Sequence, residues 1–259
     1  MALPPPTAQY GFPFTVGEMS KREYRALLQY ASTPKGRKEL REHAIRADDT
    51  DQCAPGRNVL PGLRLINCGS ERTAFLLKVI GQPPIVFKVA TARRAGNQTR
   101  SEVFCWRSSN NPLMPVFYGW ASNFTWVEMQ VLYPLRTRGS GNFEDLTHIP
   151  FFMFDRAMWR LDKYLEDNFG NGSSDEYFLN DPRVIRARRT LVREAQHYMR
   201  TRSLRGRKRK EANDFVRHVV NLIIDCRILP PELTSKENWG VTRRGKIKVL
   251  DLGGVPKAG

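Results

Sequence analysis

N-W-G-V-T-R-R-G-K-I-K-V-L-D-L-G-G, residues 238–254, is the stretch on which the reading of this chain turns. Two β-prone runs, Trp239 to Val241 and Ile247 to Leu250, flank a turn at Arg243-Arg244-Gly245. A glycine-containing turn between such runs predicts a hairpin, whose open end brings Asn238 and Asp251 side by side. An amide oxygen next to a carboxylate suits Mg²⁺, a hard ion that takes few protein ligands and fills its shell with water and phosphate oxygens. Asn before a strand and Asp before Gly-Gly are equally ordinary turn residues, so the rest of the chain has to decide.

Upstream, residues 1–16 carry Pro4-Pro5-Pro6 and Pro13 without apolar periodicity and read as an arm. Ser20 and Glu23 form a capping-box pair ahead of Tyr24, Leu27, Leu28 and Ala31 at helical spacing. Pro34 and Gly36 predict a break before a second, charged helix from about Lys38 to Arg46, and Ala47 to Gly62 reads as a linker. Strand texture follows at Leu63 to Ile66, Thr73 to Ile80 and Ile85 to Ala90, with turns at Gly69-Ser70 and at Gly81 to Pro84. A helix over Asn97 to Ser108 and two further strands, Met114 to Trp120 and Phe124 to Leu132, come next. A polar, Gly-rich connection spans residues 136–150. Helices are then expected at Phe151 to Asn168, Pro182 to about Thr201, and Glu211 to Arg227, where Phe215, Val219, Leu222 and Ile223 recur at helical spacing.

This order resembles the protein-kinase fold, over about Leu63 to Gly254. I-V-F-K-V-A (85–90) is similar to the V-A-I-K strand, Asn238 to the catalytic-loop asparagine, and Asp251-Leu252-Gly253 to D-F-G. The resemblance implies an α+β, two-lobed chain: an N-terminal arm and helical extension (1–62), an antiparallel β-sheet small lobe (63–135) and a reduced, mainly helical large lobe (136–259). It also implies ATP and Mg²⁺ as ligands. Gly69 and Ser70 would cover the phosphates, Lys88 would contact them, and Glu102 would hold Lys88. Leu132, opening L-Y-P-L, would present backbone to the adenine, and Asn238 and Asp251 would hold the metal. Arg72 either adds charge near the phosphates or is a solvated strand residue.

Two departures qualify the activity so implied. In H-R-D-x-x-x-x-N the aspartate accepts the substrate proton, and counting back from Asn238 puts Leu233 there, with Glu232 one residue away as the substitute carboxylate. Lys236 is a candidate to neutralise transferred phosphate or a surface charge. After Asp251-Leu252-Gly253 the sequence given has no activation segment. The chain thus resembles compact, sometimes degenerate Ser/Thr kinase-like proteins encoded by phages. Two functions follow from the resemblance: Mg-ATP binding with phosphate transfer to protein Ser/Thr or to itself, or an inactive pseudokinase scaffold.

The second conspicuous feature is charge. The formal net charge is +16, and basic residues concentrate between Arg183 and Arg217, including R-G-R-K-R-K at 205–210. A Gly-interrupted basic loop there would contact nucleic acid or an acidic partner protein; a solvated face and a nuclear-localisation signal are the alternatives. The length and the 41% hydrophobic content fit a globular chain of one large domain or two lobes. No apolar run approaches the roughly 20 residues of a membrane span, and no secretory signal opens the sequence, so the expectation is a cytoplasmic protein, in the host cell if phage-encoded. Cys53, Cys68, Cys105 and Cys226 lack metal-site spacing and are expected to be buried or idle thiols, not a disulfide framework. His43, His148, His197 and His218 are scattered and read as structural.

Overall fold

The computed structural model describes residues 17–44, 55–56, 58–68, 72–91, 95–135, 141–170 and 181–250. The chain is α+β and divides into two compact units, one of Met1–Val103 with Val116–Val131, the other of Phe104–Pro115 with Leu132–Gly259.

The first unit is built on an antiparallel sheet of six strands: β1 (Asn58–Leu60), β2 (Leu63–Cys68), β3 (Arg72–Leu77), β4 (Ile85–Ala90), β5 (Phe117–Trp120) and β6 (Trp126–Gln130), in the order β1-β2-β3-β4-β6-β5. The linker expected over Ala47 to Gly62 therefore contains a strand, paired with β2 through Asn58 and Arg64. Alternation assigns the faces. Phe75, Leu77, Ile85, Phe87 and Val89 share one core with Leu27 and Ala31 of helix α1 (Lys21–Ala31) and Leu40 and Ala44 of α2 (Pro34–Ala44). The intervening residue Lys88 points to the opposite face, toward α3 (Ala95–Ser109).

Helix α1 starts where its capping box places it. The Ser20 hydroxyl accepts from the Glu23 N–H at 3.2 Å, and Glu23 accepts from the Ser20 N–H at 2.8 Å, an arrangement worth about 1 kcal/mol. Just before it, Met19 makes a parallel bridge to Val79, fixing where the helix enters the core. Pro34 opens α2 instead of preventing it: Thr33 caps the helix by accepting from the Gly36 N–H at 3.0 Å, and proline costs nothing where an N–H has no helical partner. Gly36 lies buried inside that helix because a Cβ there would collide with the Tyr30 carbonyl.

The second unit is mainly helical: α4 (Gly141–Thr147), α5 (Phe151–Phe169), α6 (Pro182–Arg186), α7 (Arg188–Tyr198) and α8 (Gly206–Cys226). Helix α4 occupies part of the stretch expected as a plain connection. α8 begins five residues earlier than its apolar periodicity indicates, so the basic run after Arg205 is helix and not loop. Nine of its residues are buried, from Ala212 to Cys226, and each large aliphatic among them contributes roughly 1.5–3 kcal/mol by leaving water. Packed with this helix is an aromatic cluster in which Phe143, Phe154 and Phe215 surround Trp239, with ring centroids 5.5–5.8 Å from it.

The expected hairpin is present as β8 (Trp239–Val241) and β9 (Ile247–Val249), pairing Trp239 with Val249. A third strand, β7 (Tyr133–Pro134), joins it through Tyr133–Val241. Gly240 sits where a Cβ would come within 2.9 Å of the Leu132 Cβ, so only glycine lets the hairpin lie this close.

The cysteine expectation is corrected. Cys105 and Cys226 are joined in a disulfide with Cα atoms 5.0 Å apart, and Cys68 is disulfide-bonded as well. Sequence spacing conceals the Cys105–Cys226 bond because its cysteines are 121 residues apart and meet only when the end of α3 reaches the end of α8. Among the described residues no helix is long and apolar enough to cross a membrane.

Candidate functional site

In the first unit the chemistry gathers between β3, β4 and α3. Register sets Arg72 opposite Ala90 and Ala74 opposite Lys88, so Arg72 and Lys88 are diagonal neighbours on one face. Both are nearly inaccessible, at 7% and 8% exposure, and α3 brings Glu102, at 2%, down onto them. Arg72 grips this carboxylate through both guanidinium ends, Nη1 to Oε2 at 2.5 Å and Nη2 to Oε1 at 2.9 Å. Lys88 Nζ stands 3.8 Å from Oε1, an ion pair without hydrogen-bond contact.

The expected Lys88–Glu102 pairing is therefore present, and it is the lesser of two. Arg72, whose solvated-strand reading is overturned by its burial, is the main partner. Sequence reasoning singled out the arginine but not its role, because the fork geometry that favours Arg over Lys at a carboxylate becomes visible only when α3 is in place. Two cations share one carboxylate in a region of low polarity, where breaking such a pair leaves an uncompensated charge.

The same unit holds a second buried acid. Glu128, on β6, is 4% exposed and accepts a hydrogen bond from the Tyr24 hydroxyl at 2.7 Å. Burial pushes its pKa above the usual carboxylate range, while the bond from Tyr24 opposes that shift. Burial, and then the Glu128 contact, raise the Tyr24 phenol and keep it a donor. The pair fastens α1 to the sheet.

In the second unit the loop before β8 runs through two 3-10 turns, Pro230–Leu233 and Lys236–Asn238. Asn238 Nδ2 donates to the Glu232 carbonyl at 2.7 Å, which sets the plane of its amide. Across the hairpin, the Leu250 N–H donates to the Asn238 carbonyl at 2.7 Å, so Asn238 does lie at the open end as its sequence position requires. Leu233 is fully buried and its carbonyl accepts from Trp239 Nε1 at 2.8 Å. Leu233, which the sequence comparison set at the aspartate position, is thus a core residue that also braces Trp239. Glu232 is half-buried on the same turn. Lys236 lies over the Phe151 ring, 5.2 Å from its centroid.

The L-Y-P-L backbone expected to meet the adenine is partly engaged: Leu132 is buried, and Tyr133 and Pro134 pair with Val241 and Gly240. Lys248 of β9 donates to the carbonyls of Pro112, at 2.6 Å, and Met114, at 2.9 Å, tying the hairpin to the segment after α3. Burial lowers the Lys248 pKa, with Lys246 adding to the effect.

Gly69, Ser70 and Asp251 lie outside the described residues. Among the described residues no three His, Cys, Asp or Glu side chains gather as a metal-binding group. His148 is structural in that it meets Glu211 at 2.7 Å, and the His218 carbonyl accepts from Asn111. No protein-family model, curated protein or solved structure matches this chain.

Proposed function

We propose that this chain is a kinase-like protein that binds ATP with Mg²⁺. The observation that carries the reading is a lysine inside a strand buried on both faces, 3.8 Å from a glutamate on the following helix. An ammonium is rarely buried for packing alone, since leaving water costs it several kcal/mol in the absence of a charged partner. In this reading Lys88 meets phosphate oxygens, Glu102 holds Lys88, and Arg72 holds Glu102.

The metal-ligand set is Asn238 and Asp251. An amide oxygen with a carboxylate fits a hard cation, and the Asn238 amide already has its nitrogen committed to Glu232, which leaves the oxygen as the donor to an ion. Mg²⁺ bound there would neutralise charge on the phosphates. Transfer to a protein hydroxyl, or to the chain itself, would be slow, because buried Leu233 accepts no proton and positioning has to supply the rate. Glu232, the residue next to Leu233, is the candidate base.

A second reading rests on the exposed basic residues between Arg183 and Arg217, which favour contact with a polyanion. The chain is then a scaffold, with or without a nucleotide. Thermal unfolding with millimolar ATP, with and without Mg²⁺, separates the two. A ligand at about a hundred times its Kd stabilises by about 2.7 kcal/mol, so Tm should rise by roughly 5 °C or more. The rise should need Mg²⁺ and vanish in Asp251→Ala. An unchanged Tm in the unsubstituted protein, or an equal rise in Asp251→Ala and Lys88→Met, would remove the nucleotide reading.

A further inference from the structure

Between residues 181 and 227 the sequence holds fourteen Lys and Arg against five Asp and Glu. Four of the five acids are committed to neighbours: Asp181 to Arg183, Asp225 to Arg188, Glu211 to Arg207, and Asp214 to Arg217. Only the Arg207–Glu211 pair touches the α7–α8 turn. Arg200, Arg202, Arg205, Lys208, Arg209 and Lys210 are all exposed and make no ion pair among the described residues.

Their placement also runs against helix electrostatics. Gly206 to Lys210 form the first residues of α8, where the helix dipole is positive, yet that turn has no acidic residue and no side-chain cap. Of the four consecutive cations at this end only Arg207 is paired, with Glu211, so the like charge of Lys208, Arg209 and Lys210 beside the positive helix end raises the energy of the isolated protein. An anion laid across the turn reverses the sign of both contributions, because it meets the cations and the unpartnered N–H groups together.

The surrounding chemistry selects the kind of anion. From Arg200 to Lys210 no large apolar side chain is exposed, so the turn has none of the anchors on which a protein interface depends. The region's aromatic residues are withdrawn: Phe215 is buried, and Tyr198 is half-buried beneath Arg160. From Arg200 to Lys210 there is no Phe, Tyr or Trp for bases to stack on, which disfavours single strands. Charge without stacking or base-edge readers matches the regularly spaced phosphates of a duplex.

We infer that the turn between α7 and α8 binds the phosphate backbone of double-stranded nucleic acid, without sequence preference. This deepens the polyanion reading above and rests on it. Arg205, Lys208 and Arg209 fall on one side of the helix start, and together with Arg200, Arg202 and Lys210 they form the contact.

The test is fluorescence anisotropy of the full chain with labelled duplexes of about 20 base pairs, DNA and RNA, across a salt series. The triple variant Arg205→Gln/Lys208→Gln/Arg209→Gln should weaken binding on the order of a hundredfold at 0.15 M salt and flatten the log–log salt slope by roughly 2.7. A control triple on α1, Lys21→Gln/Arg22→Gln/Arg25→Gln, removes equal charge from exposed positions elsewhere and should change affinity far less. Equal weakening by both triples would replace the local contact with a general field and overturn the inference while leaving the polyanion reading standing. Tighter binding of a single-stranded homopolymer, or of polyglutamate, than of duplex would overturn the choice of partner. No duplex binding at low salt would remove the polyanion reading itself. If circular dichroism shows the triple variant misfolded, Arg202→Gln replaces it, with an expected slope change of about 0.9.

Discussion

Glu102 faces two cations, and the distances decide which one holds it. Arg72 reaches both carboxylate oxygens within hydrogen-bond range, whereas Lys88 stays 3.8 Å from the nearer one. Removing Arg72 takes both hydrogen bonds of the fork from a carboxylate that is almost without water and leaves the more distant Lys88 facing it, so Arg72→Ala should cost about 3–5 kcal/mol in urea unfolding. Lys88→Met keeps the volume and the better of the two pairs, and should cost under about 1.5 kcal/mol. Nucleotide binding would show the opposite order of sensitivity, with Lys88→Met abolishing it. Equal stability losses for the two variants would refute this division of labour. At this scale the sequence points to the three residues but not to their ranking. A two-pronged contact depends on where a side chain thirty positions away arrives, and no local pattern encodes that.

Helix α1 and strand β6 are joined by a hydrogen bond from half-buried Tyr24 to buried Glu128, and by another from Trp126 to the α1 C-cap Ser32. Because burial raises the Glu128 pKa in the folded chain, the folded state keeps that proton to higher pH than the unfolded state does. The stability linked to it is present below the ordinary glutamate value of about 4.3 and is lost as pH rises through the folded pKa. Glu128→Gln has no proton to lose. Its urea midpoint relative to the unsubstituted protein should therefore climb between pH 4 and pH 8, and a constant difference across that range would show that Glu128 is not held protonated. Elements with short-range codes are those the sequence predicts well: the Ser20 capping box starts α1, and the turn at Gly245 closes the β8–β9 hairpin. Elements that depend on remote partners escape it. Strand β7 has only two residues and exists because β8, about a hundred positions later, lies beside it. The start of α8 is missed for another reason: R-K-R-K has no apolar period and reads as loop, while the helix is set by the buried face further along.

On the scale of the whole molecule, the Cys105–Cys226 bond is the feature that composition did not disclose. Closing a loop of more than a hundred residues removes about 4–5 kcal/mol of unfolded-state freedom in the chain-entropy picture, and measured gains are usually 2–4 kcal/mol. Cys105→Ser/Cys226→Ser should accordingly lower the unfolding free energy by about 2–4 kcal/mol, and reductant should do the same to the unsubstituted protein but leave the double variant almost unaffected by way of this bond. A variant as stable as its parent would mean that the bond constrains nothing the fold does not already fix. The two units are interleaved along the chain, with Val116–Val131 of the first lying between the bonded cysteines of the second. A protease that cuts anywhere from 106 to 225 therefore opens a covalent ring without releasing a piece. The nicked chain would migrate as one band on a gel until a thiol is added, and only then as two.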